Sequence, residues 1–160
     1  MTSTLNRVGQ LKALATLLRR ENTVSLATVN ERGEACVAPL FYLVDEKLSL
    51  FWLSSPTSSH SQNLKKSPRA AATVYLHTES WKEIHGVQMR GAVALITNRT
   101  RRRLLIKSYA ERFKLGALFL PTMSRCSLYE FRPEFFRVID NSKGFGDKFE
   151  ATSAEIGLAR

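Results

Sequence analysis

The chain has 160 residues, the length of one ordinary domain, and its apolar residues (44 %) are spread throughout, which excludes a disordered chain and supplies a core without disulfide or metal staples. A net charge of +10 points to an anionic partner: nucleic acid, anionic lipid or a phosphorylated small molecule. No run approaches the roughly 18 apolar residues of a membrane span, and Cys36, Cys126, His60, His77 and His85 show neither CxxC pairing nor metal-ligand spacing, so two free thiols, no metal, no membrane and a cytoplasmic location are expected.

Val8, Leu11, Leu14, Ala15, Leu17 and Leu18 recur at helical spacing and predict a first helix, capped by Thr4 or Asn6 and closed by Arg19, Arg20 and Asn22. The apolar period then changes. Thr23 to Val29 reads as a strand, the Asn-Glu-Arg-Gly of 30–33 as a turn, and Glu34 to Val44 as the hairpin partner. Asp45-Glu46-Lys47 turns the chain into a third strand, Leu48 to Ser54, so the three form an antiparallel meander. Ser58 or Ser59 can cap a short helix that Pro68 stops. Arg69 to His77 is the fourth strand and Val87 to Thr97 the fifth, with Gly91 marking a bulge or a close backbone approach. Asn98 or Thr100 opens a second long helix, and Leu115 to Leu120 suggests a further short one. Ser127 to Phe131 and Phe135 to Asp140 read as a final strand broken around Arg132-Pro133-Glu134, and a loose tail is expected from Glu150 onward. The expected fold is mainly β with flanking helices, a small antiparallel barrel in one domain over residues 1–149.

The most informative stretch follows the third strand. Ser54, Ser55, Thr57, Ser58, Ser59 and Ser61 carry six hydroxyls, and Lys65, Lys66 and Arg69 follow. Short donors at a helix start leave backbone N–H groups free, the helix dipole adds positive potential, and the cations raise it further; together they suit a phosphate monoester. Neither a GxxxxGK[ST] nor a GxGxxG fingerprint is present. Asn141 and Asp140 can order the turn around Gly144-Phe145-Gly146, a segment that either closes over a cofactor or is simply a turn. Trp52 and Trp81 read as core or interface anchors. The Arg99, Arg101, Arg102 and Arg103 cluster reads as the solvated first turn of a helix; a nucleic-acid contact there lacks interleaved aromatics, so nucleic acid is not the expected partner.

In order and spacing, these pieces resemble the FMN-binding split-barrel superfamily of pyridoxamine 5'-phosphate oxidase-like proteins, and most of all a small, poorly characterised branch of it. The similarity spans roughly residues 8 to 149 and is carried by Ser25-Leu26-Ala27-Thr28-Val29, Ala38-Pro39-Leu40-Phe41-Tyr42, Leu50-Phe51-Trp52-Leu53, Ser58-Ser59-His60-Ser61-Gln62-Asn63-Leu64, Gly86-Val87-Gln88-Met89-Arg90-Gly91 and Asp140-Asn141 through Gly144-Phe145-Gly146. The resemblance implies a six-stranded antiparallel split β-barrel that pairs into a homodimer, with FMN between the subunits and a flavin-dependent oxidoreductase acting on a small-molecule redox substrate. Its implied cofactor residues are Ser54, Ser55, Ser58, Ser59, His60, Asn63 and Lys65 for the phosphate, Pro39, Leu40, Phe41 and Leu53 along the ring, and Gln88 at a flavin edge or dimer contact. Relatives in this superfamily also use F420 or haem. Two departures stand out: many relatives carry Arg-Lys where this chain has Ser59-His60, which leaves Lys65, Lys66, Arg69 or Lys148 as the candidates to compensate, and the terminal Arg-Leu-x-Pro of vitamin B6 oxidases is absent, so that reaction is not expected.

Overall fold

The computed structural model describes residues 2–158, and side chains over 6–157. The first helix, α1 (Thr2–Arg20), begins before Asn6 and Thr4; the Thr4 side chain lies outside the described residues. The helix lays Leu11, Leu14, Leu17 and Leu18 into the core. Burying each such leucine contributes about 1.5–3 kcal/mol. Strands β1 (Thr23–Val29) and β2 (Ala35–Phe41) form the first hairpin in full seven-residue register. The strand expected to reach Val44 divides at Tyr42, which is fully buried: its hydroxyl donates to Leu18 O at 2.7 Å and its N–H to Asn22 O. That anchorage pulls the backbone off the ladder, and β3 is only Leu43–Val44.

β4 (Leu50–Ser54) leads into α2 (Ser59–Lys66), then β5 (Arg69–Tyr75) and β6 (His85–Leu95). After α3 (Arg99–Arg112) and α4 (Leu120–Arg125) comes β7 (Ser127–Asp140). The strands form one antiparallel sheet ordered β2-β1-β5-β6-β7-β4-β3. The fold is therefore mainly β with flanking helices, as expected, with eight strands among the described residues rather than six because β3 is a fragment and an eighth lines β7. The main core holds Leu26, Trp52, Phe131 and Phe136 against α1; Phe51, Ile96 and Leu128 form a second cluster with Leu105 of α3.

β7 is one continuous strand, not a broken one. Gly91 pairs with Pro133 while Arg90 pairs with Phe135, so Glu134 is the extra residue of a β-bulge. A Cβ on Gly91 would lie 2.0 Å from Arg132 O, so the close approach also holds. The bulge switches the alternation: Tyr129 and Phe131 face the core before it, Phe136 and Val138 after it.

Residues 151–158 form regular structure, contrary to the loose tail the composition suggests. β8 (Lys148–Thr152) pairs along β7, and α5 (Ser153–Leu158) follows. Ala151 and Ile156 are buried, and Arg7 donates to both Glu150 O and the Glu155 carboxylate. The overlooked signal is Thr152-x-x-Glu155: the Glu155 carboxylate accepts the Thr152 N–H at 2.8 Å, half of a capping box.

Candidate cofactor site

The hydroxyl run builds a rigid corner between β4 and α2. Ser54 ends β4 buried at 7 % exposure. The Ser58 N–H and hydroxyl both donate to Ser55 O, and the Ser55 and Thr57 hydroxyls share a hydrogen at 2.8 Å. Ser58 caps α2, with its Oγ accepting from Ser61 N and lying 2.9 Å from Ser61 Oγ. His60 Nε2 sits 2.7 Å from Ser54 Oγ and 3.1 Å from Ser58 Oγ. Burial holds this imidazole below its ordinary value. Most of the hydroxyls therefore serve one another, which leaves the leading N–H groups of Ser59 and His60 without an acceptor among the described residues. They border a cleft of about 390 Å³ lined also by Thr28, Cys36, Val37 and Ala38, with no carboxylate in its wall. Such a corner favours an anion through N–H dipoles and the helix macrodipole.

The cations do not converge there. Lys65 and Lys66 occupy the last turn of α2, about 9 Å along the axis from its start at 1.5 Å per residue. Lys66 pairs with Glu31 at 3.0 Å, and Arg69 makes a bidentate pair with Glu134. Lys148 begins β8, on the far side of β7 from β2. The expectation that these residues raise the potential at the helix start is corrected: cations settle where the C-terminal dipole and available carboxylates stabilise them. Asn63 donates to Thr28 Oγ1 at 3.0 Å and pins α2 to β1. Leu53 packs in the second apolar cluster, Leu40 against the main core, and Phe41 is exposed on the outer face with its ring 4.9 Å from that of Phe113.

Gln88 lies elsewhere, on the outer face of the sheet. Register aligns two cross-strand rows there: Pro39, Ser25, Thr73, Gln88, Arg137, and Val37, Ala27, Ala71, Arg90, Phe135. Small residues at the centre of each row leave a trough of about 350 Å³, and Val37 lines both this trough and the cleft at α2. Arg90 Cζ lies 3.9 Å over the Phe135 ring, and Arg137 approaches the same ring at 5.8 Å while pairing with Glu150. Sequence reasoning missed Arg90, Phe135 and Arg137 as neighbours because the bulge sets which β7 residues face outward.

Two of the four clustered arginines are committed to the fold. Arg101 makes a bidentate pair with buried Glu130, which Arg132 also contacts at 2.7 Å. Burial alone would raise the Glu130 carboxyl, yet the two guanidiniums outweigh it and hold it below the ordinary value. Arg102 donates to Ser124 O and Cys126 O. Trp52 is a core anchor, whereas Trp81 is exposed and meets Phe145 edge-on at 5.5 Å. Asn141 Oδ1 accepts the Gly146 N–H and Asp140 Oδ1 the Ser142 N–H, so both residues order the glycine turn as expected. Cys36 and Cys126 are free thiols, and no group of metal-ligating side chains occurs among the described residues. No helix among them is long and apolar enough to cross a membrane.

A family model described as pyridoxamine 5'-phosphate oxidase matches residues 11–139. The UPF0306 protein YhbP of Escherichia coli O157:H7 is 28 % identical over 139 residues, covering 86 % of this chain and 90 % of that protein. Campylobacter jejuni ChuZ superimposes with a TM-score of 0.78 at 17 % identity, over 91 % of this chain and 60 % of that one. HutZ, described as the heme storage protein of Vibrio cholerae, does so at 0.66 and 19 % identity, over 78 % of this chain and 90 % of its own.

Proposed function

The chain belongs to the pyridoxamine 5'-phosphate oxidase family, and on that premise we propose that it binds FMN, with the phosphate at the start of α2, and acts as a homodimeric flavin-dependent oxidoreductase. The observation that carries this reading is the cleft without a carboxylate beside the N–H groups of Ser59 and His60, which have no acceptor among the described residues. The residues fit the group: the Ser59 and His60 N–H groups at the start of α2 supply the donors, and the phosphate is held by neutral dipoles in place of fixed cations. When bound, the flavin supplies hydride or electron transfer. The chain's own part is to anchor the phosphate, present a flat floor of Ser25, Ala27 and Ala71, and exclude water when a second copy covers the outer face. Val37 (69 % exposed), Tyr75 (58 %) and Phe41 (54 %) leave that face apolar enough for such a partner.

Haem draws support from the likeness to HutZ. The histidines favour flavin: His60 is already engaged by Ser54 and Ser58, while His77 and His85 line neither cleft. The test is to add excess FMN to purified protein, desalt it, and record absorbance and flavin fluorescence. Retained flavin bands with quenched emission are expected, and light scattering should give twice the chain mass. Colourless protein with unquenched flavin would overturn the reading, and a Soret band after haem addition would replace it.

A further inference from the structure

A separate cavity opens where the turn before β4, the bulge of β6 and β7, and α5 meet. It holds about 540 Å³ and shares no lining residue with the outer trough or with the cleft at α2. The boundary with the trough is the Arg69–Glu134 pair: Arg69 opposes Ala92 of β6 and reaches past it to the bulge on β7, where its guanidinium takes up both Glu134 oxygens.

Ser49 lines this cavity at 7 % exposure. Its N–H and C=O are both engaged by Asp45, but its hydroxyl has no hydrogen-bond partner among the described residues. A buried hydroxyl left so carries a desolvation cost that an acceptor on a ligand would relieve. Arg132 is its neighbour across the ladder, since Ser49 and Arg132 each lie one residue past the Leu50–Phe131 pair. Arg132 donates to Glu130, the same carboxylate that Arg101 holds in bidentate fashion, so two guanidiniums share one negative charge and a positive surplus remains. Lys47 adds a cation that no carboxylate pairs with among the described residues. Glu134 is the one acidic side chain in the wall, and Arg69 neutralises it. Ala92, Pro133 and Ile156 make the wall partly apolar.

We propose that this cavity binds a short aliphatic carboxylate, its head received by Lys47, the Ser49 hydroxyl and Arg132, and its chain laid against Ala92, Pro133 and Ile156. Charge-assisted hydrogen bonds to a carboxylate are strong, and the volume falls in the range of small-molecule sites. Every group named belongs to one chain, and binding there requires neither flavin nor a second copy.

Hexanoate is the probe, titrated calorimetrically into the full chain with and without saturating FMN. Wild type should bind it equally in both conditions. K47Q and S49A should each bind about tenfold more weakly, and R103Q, which removes an equal charge from α3, should bind as wild type does. Acetate, which lacks the chain, and hexanol, which lacks the charge, should each bind about tenfold more weakly than hexanoate, or less tightly still. Thermal melts separate binding from folding: S49A should melt no lower than wild type, because its hydroxyl serves a ligand and not the fold. Undetectable hexanoate binding by wild type would overturn the inference, as would equal losses in K47Q and R103Q, or an S49A protein melting well below wild type. Displacement of hexanoate by FMN would also overturn it, by placing the carboxylate in the flavin groove. Failed FMN uptake with intact hexanoate binding would overturn the flavin reading alone.

Discussion

Replacing Gly91 with alanine should be among the most damaging single-methyl additions to this protein. The added Cβ would sit 2.0 Å from Arg132 O, 2.8 Å from Arg132 C and 2.9 Å from Pro133 Cα, all backbone atoms of β7. The closest carbon–oxygen contacts between strands are about 3.3 Å, so β6 and β7 must part by about 1.3 Å at the bulge. Overpacking of this kind costs about 1–3 kcal/mol, and stretching one or two neighbouring ladder hydrogen bonds adds about 1 kcal/mol each. A total of about 3–4 kcal/mol corresponds to a fall in Tm of roughly 10 °C for a chain of this size. Thermal melts and urea titrations of G91A would measure it. G116A is the control, since Gly116 has an extended φ of −67° and nothing within 4 Å of an added Cβ. A G91A protein melting within a degree or two of wild type would refute the reasoning, because it would mean that the bulge is not held by this contact.

His60 and Glu130 govern successive steps on the acid side of the pH profile. Burial lowers the His60 pKa below 6.5, so its contribution is complete above 6.5 and is lost as pH falls through the lowered folded value; H60Q should remove that part of the stability–pH curve, and bound FMN should shift it to lower the loss, since a phosphate favours the imidazolium. Glu130 is held below its ordinary 4.5, so its stabilisation is present above 4.5 and disappears as pH falls through the folded value; E130A should cost about 2 kcal/mol in a urea titration near neutrality and flatten the acid limb, with partial exposure of Arg101 and Arg132 keeping the cost moderate. Lys114 closes α3 in a left-handed conformation with φ of 52°, where the Leu115 N–H reaches Ala110 O; K114G should stabilise the chain by about 0.5–1 kcal/mol, read as a rise in urea midpoint at unchanged slope.

Local periodicity carried much of the fold. The alternation over 23–29 and 69–75, the leucine stripe over 11–18 and the Ser58 cap are nearest-neighbour signals, and each survives as β1, β5, α1 and the start of α2. Gly91 was legible too, because only a glycine admits a backbone so close. Tertiary structure decided the rest. Whether Phe135 or Phe136 faces the core depends on one extra residue at Glu134, and shifting a strand by one residue inverts every side chain beyond it. Which carboxylate claims which cation was likewise a matter of cross-strand register: Arg69 meets Glu134 across 65 residues and Arg101 meets Glu130 across 29, so charge counted along the chain placed positive potential where the fold does not. Arg90 came to lie over Phe135 by the same register, 45 positions away in sequence and 3.9 Å away in space, a pairing that a period of two cannot encode because it records a residue's face and never its neighbour on the next strand.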